Sequence, residues 1–267
     1  MAKYVMVLAV LILLVPPSQG QTYQKPPKAV LDVLNAPLPP SLSVSPSRSK
    51  VLISESTNYL SIAEISQPFL GLAGTRFNPK TNRPQVLSYI HSLRIKDLES
   101  GRETKILLPD GARISSPEWS PDGRTIAIGN TLEDRYELLL ADTESGKVRR
   151  VPHLALNGVL GDPYQWTNSR MLLVKTVRSD RGAPPQPPSA PVGPIIQESA
   201  GQSGPVRTLQ NMLQNPYDEA LFEFYGTSQV AVVDTQTLQL KLLGKPGLYS
   251  TASASPDGQF VVVTRIL

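Results

Sequence analysis

A short turn sequence occurs twice in this chain and constrains its fold more than any other feature. Trp119-Ser120-Pro121-Asp122-Gly123 returns as Ser255-Pro256-Asp257-Gly258 near the end of the sequence. In Ser-Pro-Asp-Gly, proline sets φ at the second turn position, aspartate caps the backbone, and glycine adopts a conformation that other residues resist. Each copy is followed by a β-branched segment, residues 125–128 and residues 260–263. The pattern predicts tight turns between antiparallel strands.

A second turn sequence, which begins with aspartate, indicates the length of the repeat. Asp97, Asp142 and Asp234 each follow an apolar segment that reads as a strand, namely residues 93–95, 136–141 and 229–233. Asp142 stands 45 positions after Asp97, and Trp166 stands 47 positions after Trp119. A period near 45 residues with several short strands per repeat is typical of β-propeller blades. We therefore predict an all-β fold.

The interval from Asp142 to Asp234 is 92 residues, about two periods, but no second aspartate turn lies within it, so one blade with an insertion accounts for it better. The segment from Arg178 to Ser199 is rich in proline, which lacks the N–H that a sheet needs. We predict that this segment leaves the blade, either as a flexible spacer or as a packed functional loop. After it, residues 209–213 are predicted as a short helix and residues 221–225 as strand.

The amino terminus has the pattern of a secretory signal peptide. Lys3 precedes an apolar run from Tyr4 to Val15, and prolines and small residues follow up to Gly20. The run is shorter than the roughly 20 apolar residues of a transmembrane helix. We expect an exported protein, periplasmic or extracellular, that is cleaved after Gly20 and has no stable membrane anchor. The predicted domains are a signal peptide at 1–20, a proline-rich lead-in at 21–41, and a partial propeller at 42–267 with an insertion at about 178–216.

Composition argues against several classes of partner and cofactor. With 26 Lys+Arg against 22 Asp+Glu, the net charge of +4 is too small and too scattered to predict nucleic-acid binding. The densest basic group, around Arg149 and Arg150, is predicted to lie on a solvated strand edge, where charge deters pairing. The chain has no cysteine, and His91 and His153 are far apart, so we predict neither a zinc site nor another cofactor.

No catalytic constellation is predicted from the sequence. Gly226-Thr227-Ser228-Gln229-Val230 lacks the last glycine of the Gly-x-Ser-x-Gly elbow, and a strand follows its serine instead of preceding it. Gly201-Gln202-Ser203-Gly204 lies in polar loop sequence. The carboxylate pairs Glu133-Asp134 and Asp218-Glu219 adjoin turns, where a solvated or capping role is expected. We therefore predict no catalytic, cofactor-binding or metal residue in this chain.

Several longer stretches occur in an order that is familiar from one family. They are Ala36-Pro37-Leu38-Pro39-Pro40, Trp166-Thr167-Asn168-Ser169, Ser179-Asp180-Arg181-Gly182-Ala183-Pro184-Pro185, Pro191-Val192-Gly193-Pro194, Arg207-Thr208-Leu209-Gln210-Asn211-Met212-Leu213, Tyr217-Asp218-Glu219-Ala220-Leu221-Phe222 and Tyr225-Gly226-Thr227-Ser228-Gln229. In this order they resemble the amino-terminal propeller of the glutamyl endopeptidase-like serine peptidases, a branch of the prolyl oligopeptidase family.

The resemblance implies a partial β-propeller of about three blades plus the first strand of a fourth, since the chain ends at residues 264–267. Similar proteins continue into an α/β-hydrolase domain with a serine, aspartate and histidine triad, and we expect that domain to be absent here. The implied function is to gate peptide substrates toward that missing domain, which by resemblance cleaves after glutamate. The alternative is a stand-alone periplasmic propeller that binds a protein or glycan partner through its loops. The sequence leaves the oligomeric state open.

Overall fold

The computed structural model describes residues 25–190, 201 and 209–267. The predicted signal peptide and part of the predicted insertion lie outside these residues. The chain divides into two compact units, residues 1–37 and residues 38–267. The first unit contains helix α1, Lys28–Leu34. Within the described ranges, no helix is both long enough and apolar enough to cross a membrane.

The second unit is built mainly from strands, which confirms the all-β class. In chain order its elements are β1 Ser41–Val44, β2 Lys50–Ser56, α2 Ile62–Ile65, β3 Leu70–Leu72, β4 Thr75–Asn78, β5 Arg83–Pro84, β6 Ile90–Asp97, β7 Glu103–Lys105, β8 Ile114–Trp119, β9 Thr125–Thr131, β10 Tyr136–Asp142, β11 Val148–Arg150, β12 Tyr164–Trp166, β13 Met171–Thr176, α3 Pro216–Gly226, β14 Ser228–Asp234, β15 Leu240–Gly247, β16 Tyr249–Ala254 and β17 Val261–Arg265.

Groups of four antiparallel strands follow one another as propeller blades do. The first blade is β1-β2-β6-β7, the second is β8-β9-β10-β11, and the third is β12-β13-β14-β15. A hairpin of β16 and β17 comes next. The resemblance implies only one strand of a fourth blade, whereas the structure has two, because residues 249–254 pair with β17 across the Ser255 turn. Pairing of Ile90 with Ile114 joins the first two blades into one continuous sheet.

The predicted serine turns join the first and second strands of their blades. The Ser120 hydroxyl accepts a hydrogen bond from the Thr125 N–H at 3.0 Å, and the Ser255 hydroxyl accepts one from the Phe260 N–H at 3.0 Å. Ser45 makes the same contact with the N–H five positions later, also at 3.0 Å. This third copy is not apparent in the sequence because it has Ser-Arg where the other two have Asp-Gly.

The predicted aspartate turns are also confirmed. Each connects the third strand of a blade to the fourth. The carboxylates of Asp97, Asp142 and Asp234 accept hydrogen bonds from backbone N–H groups two or three residues later. The strand that follows the second of these turns, β11, carries Arg149 and Arg150 and lies at the edge of its sheet. Both arginines are exposed, so the predicted solvated edge is confirmed.

Apolar residues of β10 pack on both faces of the strand. Leu139 and Ala141 belong to the core shared with the first blade. Leu138 and Leu140 belong to the core shared with the third blade. Successive side chains of a strand point to opposite faces, which explains the continuous apolar run in this segment. The second blade is therefore covered by its neighbours on both sides.

The connection between β13 and β14 contains a helix where the sequence predicts a strand. Residues 209–213 form no helix, and residues 221–225 lie within α3. The Asn215 side chain accepts a hydrogen bond from the Asp218 N–H at 2.9 Å, and Pro216 occupies the first helical position. Both features favour a helix start. The aromatic residues that suggested a strand instead form the buried side of the helix.

Candidate functional site

The two longest connections in this unit lie at the same end of their blades. Residues 57–89 join β2 to β6, and residues 177–227 join β13 to β14. In each case they link the second strand of a blade to the third, whereas the serine and aspartate turns lie at the opposite end of the antiparallel strands. The later connection is longer than the predicted insertion at about 178–216. The sequence gives no prediction for the connection at residues 57–89, because the repeat length was measured only from Asp97 onward.

These two connections pack on each other through a small apolar core. Strands β3, β4 and β5 form an antiparallel sheet within the first connection, and α3 belongs to the second. Leu72 and Phe77 of the sheet are buried in one cluster with Leu221, Phe222 and Tyr225 of the helix. The rings of Phe77 and Tyr225 are centred 5.4 Å apart. We call this assembly of β3–β5 and α3 the cap layer.

Two buried asparagines hold the end of α3, one from the cap layer and one, Asn157, from the connection between β11 and β12. Asn82 lies in the turn between β4 and β5 with a φ of 54°. Its side-chain nitrogen donates to the Tyr225 carbonyl at 3.0 Å, and its side-chain oxygen accepts from Arg181 at 2.9 Å. Asn157 donates to the same Tyr225 carbonyl at 2.9 Å and to the Thr227 carbonyl at 3.0 Å. Carbonyls at the end of a helix lack partners within it, so these contacts fix the end of α3.

Arg83 is the next residue after Asn82 and packs against Tyr89 of its own connection and Tyr136 of the second blade. Its guanidinium lies 4.7 Å from the ring centre of Tyr89 and 5.7 Å from that of Tyr136. The residue is only 3% exposed, and no carboxylate among the described residues forms an ion pair with it. Burial lowers the pKa of Arg83, and the neighbouring Tyr136 and Tyr89 oppose that shift. The group remains cationic, because arginine does not lose its proton in proteins.

Arg83 lines a cavity of about 420 Å³, which we call the Arg83 cavity. Thr81 and Thr131, which are 3% and 5% exposed, also line it. Their hydroxyl oxygens have no hydrogen-bond partner in the described part of the chain. Buried polar groups of native proteins nearly always have partners, so two such hydroxyls beside one cavity indicate a place for a polar ligand or for water.

Exposed apolar side chains surround the mouth of the Arg83 cavity. Tyr59, Ile65, Phe69 and Leu87 line it and are 66%, 64%, 45% and 85% exposed. All four belong to the connection at residues 57–89. Clustered exposed apolar groups mark binding surfaces more often than single ones do. The cavity therefore combines a buried cation with an apolar entrance.

A second cavity, of about 480 Å³, lies beside β12, β13 and β16 and is lined by Glu118, Asp162 and Lys175. Burial raises the pKa of Glu118 to about 7, and the negative charge of Asp162 adds to the shift. Burial lowers the pKa of Lys175 to about 8. The Lys175 ammonium donates to the carbonyls of Leu160 and, at 3.2 Å, Ser250. We assign this lysine a structural role, because it ties the β16–β17 hairpin to the third blade.

The structure places Ser228 where it cannot act as an exposed nucleophile. The residue is the first of β14 and follows α3, so its turn leads from helix to strand, the reverse of a nucleophile elbow. Its hydroxyl is buried and has no hydrogen-bond partner among the described residues. Asp218 has the predicted capping role, since its carboxylate accepts from the Gln214 N–H at 2.9 Å.

The two histidines lie in separate elements. His91 is in β6, and His153 follows β11. Across residues 25–190 and 209–267, no group of three or more histidine, aspartate or glutamate side chains is arranged to hold a metal ion. Most of the segment from Gly201 to Gly204 lies outside the described residues. Neither the Arg83 cavity nor the cap layer was predicted from the sequence, because both depend on contacts between distant segments.

Comparison with known proteins identifies relatives for this chain, although no protein-family model matches it. The chain is 34% identical over 260 residues to "Probable glutamyl endopeptidase, chloroplastic" of Oryza sativa subsp. japonica, covering 91% of the chain and 27% of that relative. It is 29% identical over 261 residues to the protein of the same name in Arabidopsis thaliana, covering 92% and 27%. These matches confirm the resemblance found in the sequence. The chain spans about a quarter of the length of either relative.

Among solved structures, the chain overlaps the β-propeller domain of the Trilobed protease from Pyrococcus furiosus. The TM-score is 0.41 and the identity is 14%, over 84% of this chain and 48% of that chain. A likeness of this size carries no conclusion about function, and the fold described above stands on its own strand pairing.

Proposed function

We propose that this chain works as the propeller portion of a serine peptidase of the glutamyl endopeptidase-like branch, where it controls the access of peptides to a catalytic domain. The observation that carries this proposal is the 34% identity to the rice relative over 91% of the chain. The succession of four-stranded blades supports it, because blades of this kind surround a central channel. A channel of that kind admits extended peptides and excludes folded proteins.

The shape of the blades gives this gating role a physical basis. The first strands β1, β12 and β16 each stand at one edge of their sheet, whereas β8 pairs with β6 at one position as well as with β9. In propellers that edge faces the channel. The cap layer lies at one end of the blades and holds the first and third of them together. A peptide that approaches from this end meets the cap layer and the apolar mouth of the Arg83 cavity.

Two finer statements belong to the same proposal. Cleavage after glutamate is inferred from the names of the two relatives and from the resemblance described above. Export is inferred from the pattern at Lys3 to Gly20. The alternative of a stand-alone propeller that binds a protein or glycan partner is favoured by one observation, the exposed apolar side chains around residues 59–87.

The decisive experiment for the proposal starts with the gene. We expect the reading frame beyond codon 267 to encode a Gly-x-Ser-x-Gly elbow followed by aspartate and then histidine. The complete protein should then cleave an unstructured peptide after glutamate and leave the same sequence intact inside a folded protein. A variant with alanine at the elbow serine is the matched control. A complete protein that binds a partner but hydrolyses no peptide would establish the alternative.

A further inference from the structure

We propose that the Arg83 cavity binds the free carboxylate at the carboxyl terminus of a peptide whose last residue is apolar. The inference rests on the proposed function only for the idea that peptides reach this end of the blades. It concerns binding to this chain and requires no cleavage. Its failure and the failure of the peptidase proposal are therefore separate outcomes.

The first argument is the unbalanced charge of Arg83. A buried cation without a carboxylate partner is costly, because burial removes its hydration. Arg83 is 3% exposed and packs against Tyr89 and Tyr136, whose ring faces stabilise a cation but donate no negative charge. The planar guanidinium matches the two oxygens of a carboxylate, which it binds through two parallel hydrogen bonds. Glu64 also lines the cavity, but its carboxylate accepts from the backbone N–H and the hydroxyl of Ser61 at 2.8 and 2.9 Å and forms no ion pair with Arg83. A ligand carboxylate next to Arg83 would thus supply its counter-charge.

The second argument comes from the two unpartnered hydroxyls. The oxygens of Thr81 and Thr131 are buried beside the same cavity and bond to nothing in the described part of the chain. A carboxylate has about four acceptor positions, and an arginine uses two of them. Two hydroxyl donors can fill the rest. Guanidinium and hydroxyl groups together therefore fit an anion with several acceptor positions better than they fit a cation.

A third argument comes from the apolar side chains at the mouth of the cavity. Ile65, Phe69 and Leu87 line the cavity and are exposed at its entrance. Its volume of about 420 Å³ is within the range of roughly 300–1,000 Å³ that is usual for small-ligand sites. That space is too large for a carboxylate alone and suits a carboxylate attached to an apolar side chain. A glutamate side chain carries the same charged group, but it brings backbone on both sides through an apolar entrance.

The binding test uses the 267-residue chain and three probe peptides. Acetyl-Ala-Ala-Phe with a free carboxylate should bind, as measured by titration calorimetry. The same peptide with a carboxyl-terminal amide should bind at least about ten-fold more weakly, because hydrogen bonds to a charged group contribute that much. Amidated acetyl-Ala-Glu-Ala tests the glutamate side chain as the source of the carboxylate. Equal binding of the acid and amide forms of the Phe peptide, or tighter binding of the glutamate peptide, would overturn the proposal.

Variants then locate the site. Arg83→Met should abolish acid-selective binding while the urea midpoint stays the same or rises, since an unpaired buried charge is removed. Arg124→Met, at an exposed arginine in the Ser120 turn, is the matched control and should bind as the original chain does. If Arg83→Met does not fold, Thr131→Val keeps the side-chain shape and should weaken binding several-fold. Unchanged acid-selective binding in both cavity variants would refute the assignment.

Discussion

The side-chain amide of Asn82 donates a hydrogen bond to the backbone carbonyl of Tyr225 at 3.0 Å, across 143 positions of sequence. This contact joins the turn between β4 and β5 to the last turn of α3. It therefore connects the long segment of the first blade to the long segment of the third. Arg83 follows directly, so the same turn positions the guanidinium of the Arg83 cavity.

We predict that Asn82→Gly lowers the free energy of unfolding by about 1–2 kcal/mol, because the hydrogen bonds to Tyr225 and from Arg181 are lost. Glycine accepts the φ of 54° without strain, so the change isolates the side chain. Asn211→Gly is the matched control, since Asn211 has a φ of 58° and its side chain forms no hydrogen bond within the described ranges. Urea unfolding measures both. Equal losses in the two variants would contradict the proposed link.

The raised pKa of Glu118 predicts a stability that falls as pH increases. Its folded-state pKa of about 7 lies above the ordinary value of 4.5, so the folded state retains a proton that the unfolded state has released. The free energy of unfolding therefore decreases between about pH 4.5 and pH 7. Glu118→Gln should reduce this slope in urea midpoints measured at about pH 5 and pH 7.5. Glu99→Gln, on an exposed turn, is the control and should retain the slope of the original chain.

Ser228 should be dispensable for both stability and activity. We expect Ser228→Ala to leave the free energy of unfolding unchanged or to raise it by up to about 1 kcal/mol, because a buried hydroxyl without a partner is removed. Thr176→Val is the contrasting change, since the Thr176 hydroxyl donates to the Ala155 carbonyl at 2.7 Å, and it should cost about 1 kcal/mol. Peptide hydrolysis that disappears in Ser228→Ala would show that the serine is catalytic after all.

Strand β17 should promote self-association. Phe260 and Val262 are 67% and 64% exposed, and among the described strands β17 pairs with β16 alone. An apolar edge with free backbone groups invites pairing with another chain. Val262→Lys should reduce concentration-dependent association in light scattering, whereas Gln259→Lys adds the same charge in the preceding turn and should have less effect. Identical association of the two variants would exclude this edge as the contact.

Export remains a prediction from the pattern at residues 3–20. Amino-terminal sequencing of the exported fraction should find a mature chain that begins near Gln21. Leu13→Arg places a charge in the apolar run and should leave the protein inside the cell with residues 1–20 attached. Recovery of membrane-bound protein with an intact amino terminus from the original sequence would argue for an uncleaved anchor.

Local sequence patterns are sufficient to predict the all-β class and the positions of the turns. The hydrogen bonds of the Ser120 and Asp142 turns span only five residues or fewer, so composition at those positions is enough to specify them. The strands between the turns follow from β-branched and apolar composition, as in residues 125–128 and 136–141. The family resemblance came from longer stretches, such as Trp166–Ser169 and Tyr225–Gln229, that occur in that family's order.

The cap layer, the Arg83 cavity and the helical state of residues 221–225 arise only when the chain is folded. Each depends on contacts between segments that are far apart in sequence, such as Asn82 with Tyr225. Aromatic residues favour strands on average, but in α3 burial against β3–β5 and a capped first turn outweigh that preference. In the sequence, Arg83 resembles an ordinary surface arginine. In the folded chain its guanidinium packs against Tyr89 and Tyr136. The burial of Arg83, and its lack of an ion-paired carboxylate among the described residues, are properties of the packed chain that no local pattern encodes.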